Sequence, residues 1–247
     1  MPASISRAAA TVVEIFFPPL CLLCDARVAP ELCPEVCASC RSSFRRMGQP
    51  SCQRCGAPGH GPAHSCRHCA EWSALGLARA ALFYAGAVRT WVQRLKYGGV
   101  TGLAALAAEP MQSALGDAPP EWASASALVP VPLHAARLRE RGFNQSELIA
   151  AALARRIGVP LQPLLRRARP TVSQVGLSSA ERRRNVGGAF EVPAELRALC
   201  AGRRLVLVDD VLTTGSTLDA AAAALRSAGA GSVFALAAAR SLPGRDA

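Results

Sequence analysis

The residues best suited to chemistry are two adjacent acids, Asp209 and Asp210, and the hydroxyl-rich run that follows them. Carboxylates can bind the hydroxyls of a sugar, because their oxygens accept hydrogen bonds. A run of Thr, Gly and Ser at the start of a helix offers backbone N–H groups and hydroxyls to a phosphate. These features predict a ribose 5-phosphate site, with the phosphate bound by Thr213, Thr214, Gly215, Ser216 and Thr217.

A strand followed by a helix is predicted to position these groups. Residues 205–208 form a short apolar run that is typical of a buried strand in a parallel sheet. The helix is predicted over 218–228 and ends at Gly229. Because open α/β sheets bind ligands at the carboxyl ends of their strands, we expect the acids at the binding edge. The alternative is an ordinary turn in which the acids only cap the helix.

The rest of the larger region alternates between strands and helices. Apolar runs predict further strands at 78–84, 127–132, 161–167 and 233–238, with a return to the sheet at 190–192. Amphipathic segments predict helices at 88–97 and 103–115, and a third helix capped by Asn144, with Glu147 in a capping-box position, and ended by Gly158. This alternation predicts an α/β fold with a parallel sheet flanked by helices.

Two stretches of this region are rich in arginine. Residues 133–143 are predicted to form a basic loop, because Pro130 and Pro132 end the strand before it. Residues 170–189 lack a clear apolar period, and so long a polar segment inside a compact domain predicts a mobile lid. The alternative for each arginine is a solvated surface charge. The arginines of the basic loop are Arg137, Arg139 and Arg141.

The formal net charge of +11 is distributed unevenly. Residues 1–75 hold 7 Arg against 5 acids, whereas residues 76–247 hold 21 Lys or Arg against 12 acids. The larger region therefore favours an anionic ligand, either a phosphorylated small molecule or nucleic acid. Lys96 is the only lysine among 28 basic residues. Either a need for a compact point charge or chance accounts for it.

Nine of the ten cysteines lie between Cys21 and Cys69, and eight of them form four C-x-x-C pairs. Such a pair can bind one metal ion with both thiolates, and two pairs about a dozen residues apart complete a tetrahedral Cys₄ zinc site. Grouping consecutive pairs predicts two structural zinc sites. The first comprises Cys21, Cys24, Cys37 and Cys40, and the second comprises Cys52, Cys55, Cys66 and Cys69.

Other interpretations of the cysteines are weaker. A disulfide framework needs an oxidising compartment, and iron–sulfur clusters usually have tighter cysteine spacings. Cys33 is a possible replacement for Cys37 in the first site. His60, His64 and His68 lie beside the second site and are expected at the surface, since eight cysteines already fill two sites.

The composition of the chain changes near Trp72. We predict an N-terminal module over 1–75, made of a short amphipathic helix and a double zinc ribbon, and a second domain over 76–247. The first apolar run is broken by Glu14 and stopped by a Pro-Pro pair, which favours a packed helix over a targeting signal. No apolar run approaches the ~20 residues of a membrane span. Because no targeting signal is predicted, the expected location is the cytoplasm.

Several segments together resemble one family of proteins. They are LKY at 95–97, VPVPL at 129–133, RLRERGFNQSE at 137–147, GAF at 188–190 and LVLVDDVLTTGST at 205–217, with the spaced residues Arg169, Thr171, Gln174, Ser178, Arg182 and Asn185. The last segment resembles the PRPP-binding signature of type I phosphoribosyltransferases. With the cysteine pairs in front, nearly the whole chain resembles the competence protein F (ComF) family.

This resemblance implies a type I phosphoribosyltransferase fold and a link to DNA uptake in natural transformation. By position, Asp209 and Asp210 would bind the ribose hydroxyls, and residues 213–217 the 5′-phosphate. The loop after Pro132 would correspond to the pyrophosphate loop, and 170–189 to the flexible lid. The extra Cys33 departs from the family pattern and leaves the zinc ligand set open.

A transferase of this class binds Mg-PRPP, and Mg²⁺ and arginines stabilise the pyrophosphate as it leaves. Candidate ligands of the leaving group are Arg137, Arg139 and Arg141, with Lys96 behind them. No residue stands out in the sequence as a general base, so the acceptor stays open. Two other functions therefore stay open as well: a PRPP or nucleotide sensor without turnover, and an adaptor that binds single-stranded DNA and DNA-uptake proteins.

Overall fold

The computed structural model describes residues 19–28, 36–48, 52–58, 66–116, 122, 125–169, 181 and 187–242. The strands in chain order are β1 (Leu77–Phe83), β2 (Ala127–Pro130), β3 (Arg166–Arg167), β4 (Phe190–Glu191), β5 (Arg204–Leu212) and β6 (Ser232–Arg240). The α-helices are α1 (Ala38–Ser42), α2 (Gly86–Tyr97), α3 (Ala108–Gly116), α4 (Ala135–Arg141), α5 (Gln145–Ile157) and α6 (Ser216–Ser227). Two 3₁₀ helices span Thr101–Ala107 and Ala194–Leu199.

The main sheet has four parallel strands in the order β1-β6-β5-β2. β5 and β6 are central and buried on both faces, which explains their continuous apolar sequence. The predicted α/β fold with a parallel sheet is confirmed.

Alternate residues of β5 enter two separate cores. Leu205 and Leu207 pack on the side of α6 and of the second cysteine cluster, which consists of Cys52, Cys55, Cys66 and Cys69. Val206 and Val208 pack on the opposite side, with residues of α2, α3 and α5 and of the first cysteine cluster. The described residues therefore cover the sheet on both faces, which leaves a ligand to bind at the carboxyl ends of the strands.

The predicted basic loop at 133–143 is wrong, because most of it is helix α4. The side chain of His134 accepts a hydrogen bond from the Ala136 amide and caps the helix, which ends at Gly142 in the left-handed region. Between these caps the sequence contains only Ala, Arg, Leu and Glu, all strong helix formers. Pro130 and Pro132 end the strand, but they do not keep the following residues irregular.

The predicted strand at 161–167 is also largely wrong. Leu161 makes an isolated parallel bridge to Leu128, and Pro163 then interrupts the pairing because it has no amide hydrogen. Only β3 remains of this strand, and it pairs with β4 in a separate antiparallel ribbon. Residues 190–192 therefore do not return to the main sheet.

The predicted ends of α5, Asn144 and Gly158, agree with the structure, whereas the Glu147 half of the predicted capping box is not among the hydrogen bonds of the described residues. The Asn144 side chain accepts a hydrogen bond from the Ser146 amide at 3.2 Å and donates one to the Val131 carbonyl at 3.1 Å. Gly158 ends the helix in the left-handed region. Asn144 is buried, so this one side chain fixes the start of α5 against the chain that leaves β2.

We expect Asn144→Ala to lower the free energy of unfolding by about 2 kcal/mol, because the substitution removes a buried cap and a second hydrogen bond. Chemical denaturation measures this loss. The control is His134→Ala, which removes the cap of the short, exposed helix α4 and should cost only about 0.5 kcal/mol. Equal losses in the two variants would contradict the structural role given to Asn144.

Candidate functional site

The two acids lie at the carboxyl end of β5, next to the start of α5. Asp209 Oδ1 accepts hydrogen bonds from Ser146 Oγ at 2.8 Å and from the Asp210 amide at 2.9 Å. Ser146 was not predicted as a site residue, although it lies in the RGFNQSE segment. The segment that carries the family resemblance thus contacts the acid pair through the first turn of α5.

Lys96, in the last turn of α2, forms an ion pair with Asp210, with 2.9 Å between Nζ and Oδ2. The side chain of Lys96 is 22% exposed and that of Asp210 is 6% exposed, so solvent screens this pair only weakly. Burial disfavours the ammonium, but the Asp210 and Asp209 carboxylates outweigh it and raise the pKa of Lys96. The only lysine therefore compensates the acids as a fixed positive charge.

The acid pair remains electrostatically strained. Burial and the adjacent Asp210 carboxylate raise the pKa of Asp209 to about 7, and Ser146 and Lys96 oppose this shift only in part. Lys96 pairs directly with Asp210, so among the described residues the Asp209 carboxylate has no ion-pair partner of its own. Such a perturbed group in a cleft is typical of a binding or catalytic site.

The hydroxyl-rich run at 213–217 forms a turn that opens α6. Gly215 is the N-cap residue and has φ +81°, a left-handed conformation that glycine adopts without strain. The hydroxyls of Thr214 and Ser216 are hydrogen-bonded to each other at 2.9 Å. Among the residues that the structure describes, no protein acceptor takes the amide hydrogens of Thr213, Thr214 and Gly215. These donors suit a phosphate.

A cleft of about 480 Å³ joins the acids to this turn. Its walls come from β5, the turn, and the ends of α2, α4 and α5. Tyr84, Arg89 and Arg167, which were not singled out from the sequence, contribute to it. The charged residues that line it are Arg89, Lys96, Arg137, Arg167, Asp209 and Asp210.

The three predicted arginines of α4 do not act as a group. Arg137 lines the cleft. Arg141 lies over the ring of Tyr97, 5.2 Å from its centroid, and donates a hydrogen bond to Gln145. Arg139 is exposed and does not line the cleft. On a helix, Arg139 points to a different side from Arg137 and Arg141, which are each two residues away from it. Arg137 and Arg141 are four residues apart and share one side.

The cysteines form the two groups that were predicted. In each group the four sulfur atoms lie within 4.8 Å of one another, as a tetrahedral zinc site requires, and every cysteine in the described residues is a free thiol. This arrangement favours structural zinc over a disulfide framework. Cys33, His60, His64, residues 1–18 and nearly all of the predicted lid lie outside the described residues, so the predictions made for them remain predictions.

The second group, Cys52, Cys55, Cys66 and Cys69, also has charges that fit a metal. All four cysteines are buried, and two buried arginines lie beside them. Arg240 Nη2 lies 3.6 Å from Cys55 Sγ, and Arg79 donates a hydrogen bond to the Gln53 carbonyl. Zn²⁺ with four thiolates carries a net charge of −2, which the two guanidinium groups balance. The donor set therefore fits zinc.

Comparison with family models agrees with this architecture. Residues 144–242 match the phosphoribosyl transferase domain, and residues 12–70 match the double zinc ribbon domain. The fold and the cysteine groups thus define a phosphoribosyltransferase-fold protein with an N-terminal double zinc ribbon. None of the helices in the described ranges has both the length and the apolar character needed to cross a membrane.

Several curated relatives match most of the chain. Competence protein F of Haemophilus influenzae is 30% identical over 201 residues, which cover 78% of this chain and 85% of the relative. DNA utilization protein YhgH of Salmonella typhimurium is 30% identical over 223 residues (87% and 94%), and competence protein ComFC of Bacillus subtilis is 28% identical over 224 residues (83% and 88%). The chain belongs to the competence protein F (ComF) family.

We expect Asp209→Asn to stabilise the protein at pH 8 by on the order of 2 kcal/mol, because it removes a charge that the native state disfavours. The pKa of Asp209 is raised from about 4 in the unfolded chain to about 7 in the folded protein. The free-energy cost of charging Asp209 in the folded protein therefore grows as the pH rises through this range. The gain should therefore disappear below pH 4. Denaturation at several pH values measures it.

The matched control is Asp210→Asn, which keeps the size of the side chain but leaves Lys96 with a weaker partner. We expect this variant to be less stable than the wild type at pH 8. If both variants lose stability equally at pH 8, the acid pair is not strained in the way described.

Proposed function

We propose that this protein binds a phosphorylated ribose, in the form of Mg-PRPP or ribose 5-phosphate, and transfers the phosphoribosyl group of PRPP. One observation carries the proposal: the acid pair lies at the edge of the sheet beside a turn whose Thr213, Gly215 and Thr217 line the same cleft. The amides of residues 213–215 have no protein acceptor among the described residues. Carboxylates suit the ribose 2- and 3-hydroxyls, and the turn suits the 5-phosphate.

The charges of the cleft support an anionic ligand. Asp209 and Asp210 would bind the ribose hydroxyls, with Lys96 compensating their charge. The 5-phosphate would be bound by the turn at 213–217, of which Thr213, Gly215 and Thr217 line this cleft. Thr214 and Ser216 line a neighbouring cavity. Arg137 and Arg167 line the same cleft and are candidates for the pyrophosphate, whose charge grows as it leaves. Mg²⁺ would enter with the pyrophosphate and neutralise part of that charge.

The names of the relatives support a cellular role. Two of them are named competence proteins and one a DNA utilization protein. We propose that this protein likewise acts in DNA uptake, in the cytoplasm, where PRPP is available and where cysteines remain reduced for zinc.

Calorimetry with Mg-PRPP tests the site. We expect the wild type to bind and the double variant Asp209→Asn/Asp210→Asn to bind about 100-fold more weakly, because each lost charged hydrogen bond is worth at least tenfold. The control is Asp25→Asn/Glu109→Gln, which also removes two negative charges, at exposed surface ion pairs with Arg94 and Arg46. Equal weakening in both double variants would reduce the effect to net charge and contradict the site.

Pyrophosphate release from PRPP then separates transfer from sensing. A transferase releases pyrophosphate when its acceptor is present, and the acid-pair variant abolishes the release. Binding of Mg-PRPP without release in the presence of cell extract, which supplies candidate acceptors, would instead identify a sensor. In that case the binding half of the proposal stands and the transfer half fails.

A second candidate function is binding of single-stranded DNA, favoured by the net charge of +11 and by exposed arginines on the first zinc ribbon. These residues, Arg27, Arg41 and Arg45, lie apart from the cleft. Contacts to phosphates release counterions, so we expect the affinity for an oligonucleotide to fall steeply, by about 10³-fold or more, between 50 and 200 mM salt. Fluorescence anisotropy measures this dependence, and an affinity that does not change with salt would contradict the candidate.

A further inference from the structure

Trp72 joins the second cysteine cluster to the phosphate-binding turn. Its indole Nε1–H donates a hydrogen bond to the Thr214 carbonyl at 2.9 Å. Its ring lies so close to Gly215 that a Cβ added there would lie 2.4 Å from the ring carbons. The side chain is nearly fully buried. A residue that follows the last cysteine of the cluster therefore packs directly against the N-cap of α6.

Asp219 makes a second connection between the same two parts. Its carboxylate accepts hydrogen bonds from the backbone amides of Ser73, Ala74 and Leu75, at 2.8 to 3.1 Å. Asp219 lies in the first turn of α6, and its own amide donates to the Gly215 carbonyl. The segment after Trp72 is thus fixed to the helix that the phosphate-binding turn opens.

Arg54 connects the other half of the cluster to this segment. It lies between Cys52 and Cys55, and its guanidinium donates to the carbonyls of Cys69, Trp72 and Leu75 at 2.8 to 2.9 Å. The same group lies 5.7 Å from the centroid of the Trp72 ring. The Trp72 amide also donates to the Cys69 carbonyl at 3.1 Å. Both C-x-x-C pairs of the cluster therefore set the position of Trp72.

The bond to the Thr214 carbonyl has a consequence for the donor on the same peptide. In a trans peptide the C=O and N–H groups point in opposite directions. Because the Thr214 carbonyl points to Trp72, the Gly215 amide hydrogen points away from the zinc ribbon. Gly215 lines the cleft with the acid pair, whereas Trp72 is not among the residues that line it. The indole thus orients the Gly215 amide toward the cleft, although Trp72 itself does not line the cleft.

We infer that the second zinc ribbon orients the phosphate-binding turn, with Trp72, Arg54 and Asp219 as positioning residues. The inference rests on the proposed function for the identity of the ligand, but not for the conformation of the turn. By this inference the second ribbon positions the ribose phosphate site in addition to stabilising its own fold. The first ribbon is predicted to have no such positioning role.

The test compares two tryptophans in the full-length, zinc-loaded protein. Trp72→Phe keeps an aromatic ring against Gly215 but removes the indole donor. Trp91→Phe is the matched control, because the Trp91 indole also donates to a backbone carbonyl, that of Leu103 at 2.8 Å, in the other core. Thermal unfolding and zinc content establish that both variants are folded and loaded.

We expect Trp72→Phe to bind ribose 5-phosphate about tenfold more weakly in calorimetry, the effect of one lost hydrogen bond, and Trp91→Phe to bind like the wild type. In NMR spectra the indole resonance of Trp72, assigned by its loss in the variant, should shift on addition of ribose 5-phosphate with the same Kd, while that of Trp91 stays in place. Equal affinity in the two variants, with no shift of the Trp72 resonance, would overturn the inference.

A second measurement needs no ligand. Backbone amide relaxation at residues 213–217 should report increased motion in Trp72→Phe and in Asp219→Asn, and none in Trp91→Phe. If the wild type binds neither ribose 5-phosphate nor Mg-PRPP, the proposed function fails, while increased motion of the turn would still support the positioning role. If the turn is equally ordered in all variants, the positioning role fails whatever the ligand.

Discussion

Repulsion between two neighbouring carboxylates at the end of a central strand is the constraint on which this structure depends. Asp209 and Asp210 cannot both be charged at a half-buried edge without compensation. Lys96 supplies one positive charge from α2, and Ser146 supplies a hydrogen bond from α5. The sheet, helices α2 and α5 and the cap at Asn144 therefore together position the acid pair and its partners. The hydroxyls of a bound sugar would donate to the remaining carboxylate oxygens.

The parts predicted well from sequence are those that local spacing determines. The β5–α6 unit follows from an apolar run, two acids and a Gly-containing turn within thirteen residues. The grouping of the cysteines follows from the C-x-x-C spacing, because each pair binds from a single turn. Asn144 and Gly158 were likewise correct as ends of α5, since capping depends on neighbouring residues.

The predictions failed where distant or competing effects decide. The prolines before α4 predict a loop, but the helix-forming residues after them decide the local structure. The strand predicted at 161–167 is too long because Pro163 breaks the pairing. The contact of Trp72 with Thr214 joins residues 142 positions apart, and nothing in either neighbourhood signals the other. The ion-pair partner of Lys96, Asp210, is likewise distant in the sequence and has no local signal.

The two buried arginines beside the second cysteine group have a consequence for assembly. Arg79 belongs to β1, and Arg240 is the last residue of β6, so each reaches the cluster from a strand of the sheet. Without a bound metal and its thiolates, pairing β1 and β6 in the sheet would bury the guanidinium groups of Arg79 and Arg240 without a compensating negative charge. This burial would cost several kcal/mol. We therefore expect metal uptake and completion of the sheet to be coupled, so that loss of the second zinc would weaken the pairing of the strands that carry Arg79 and Arg240.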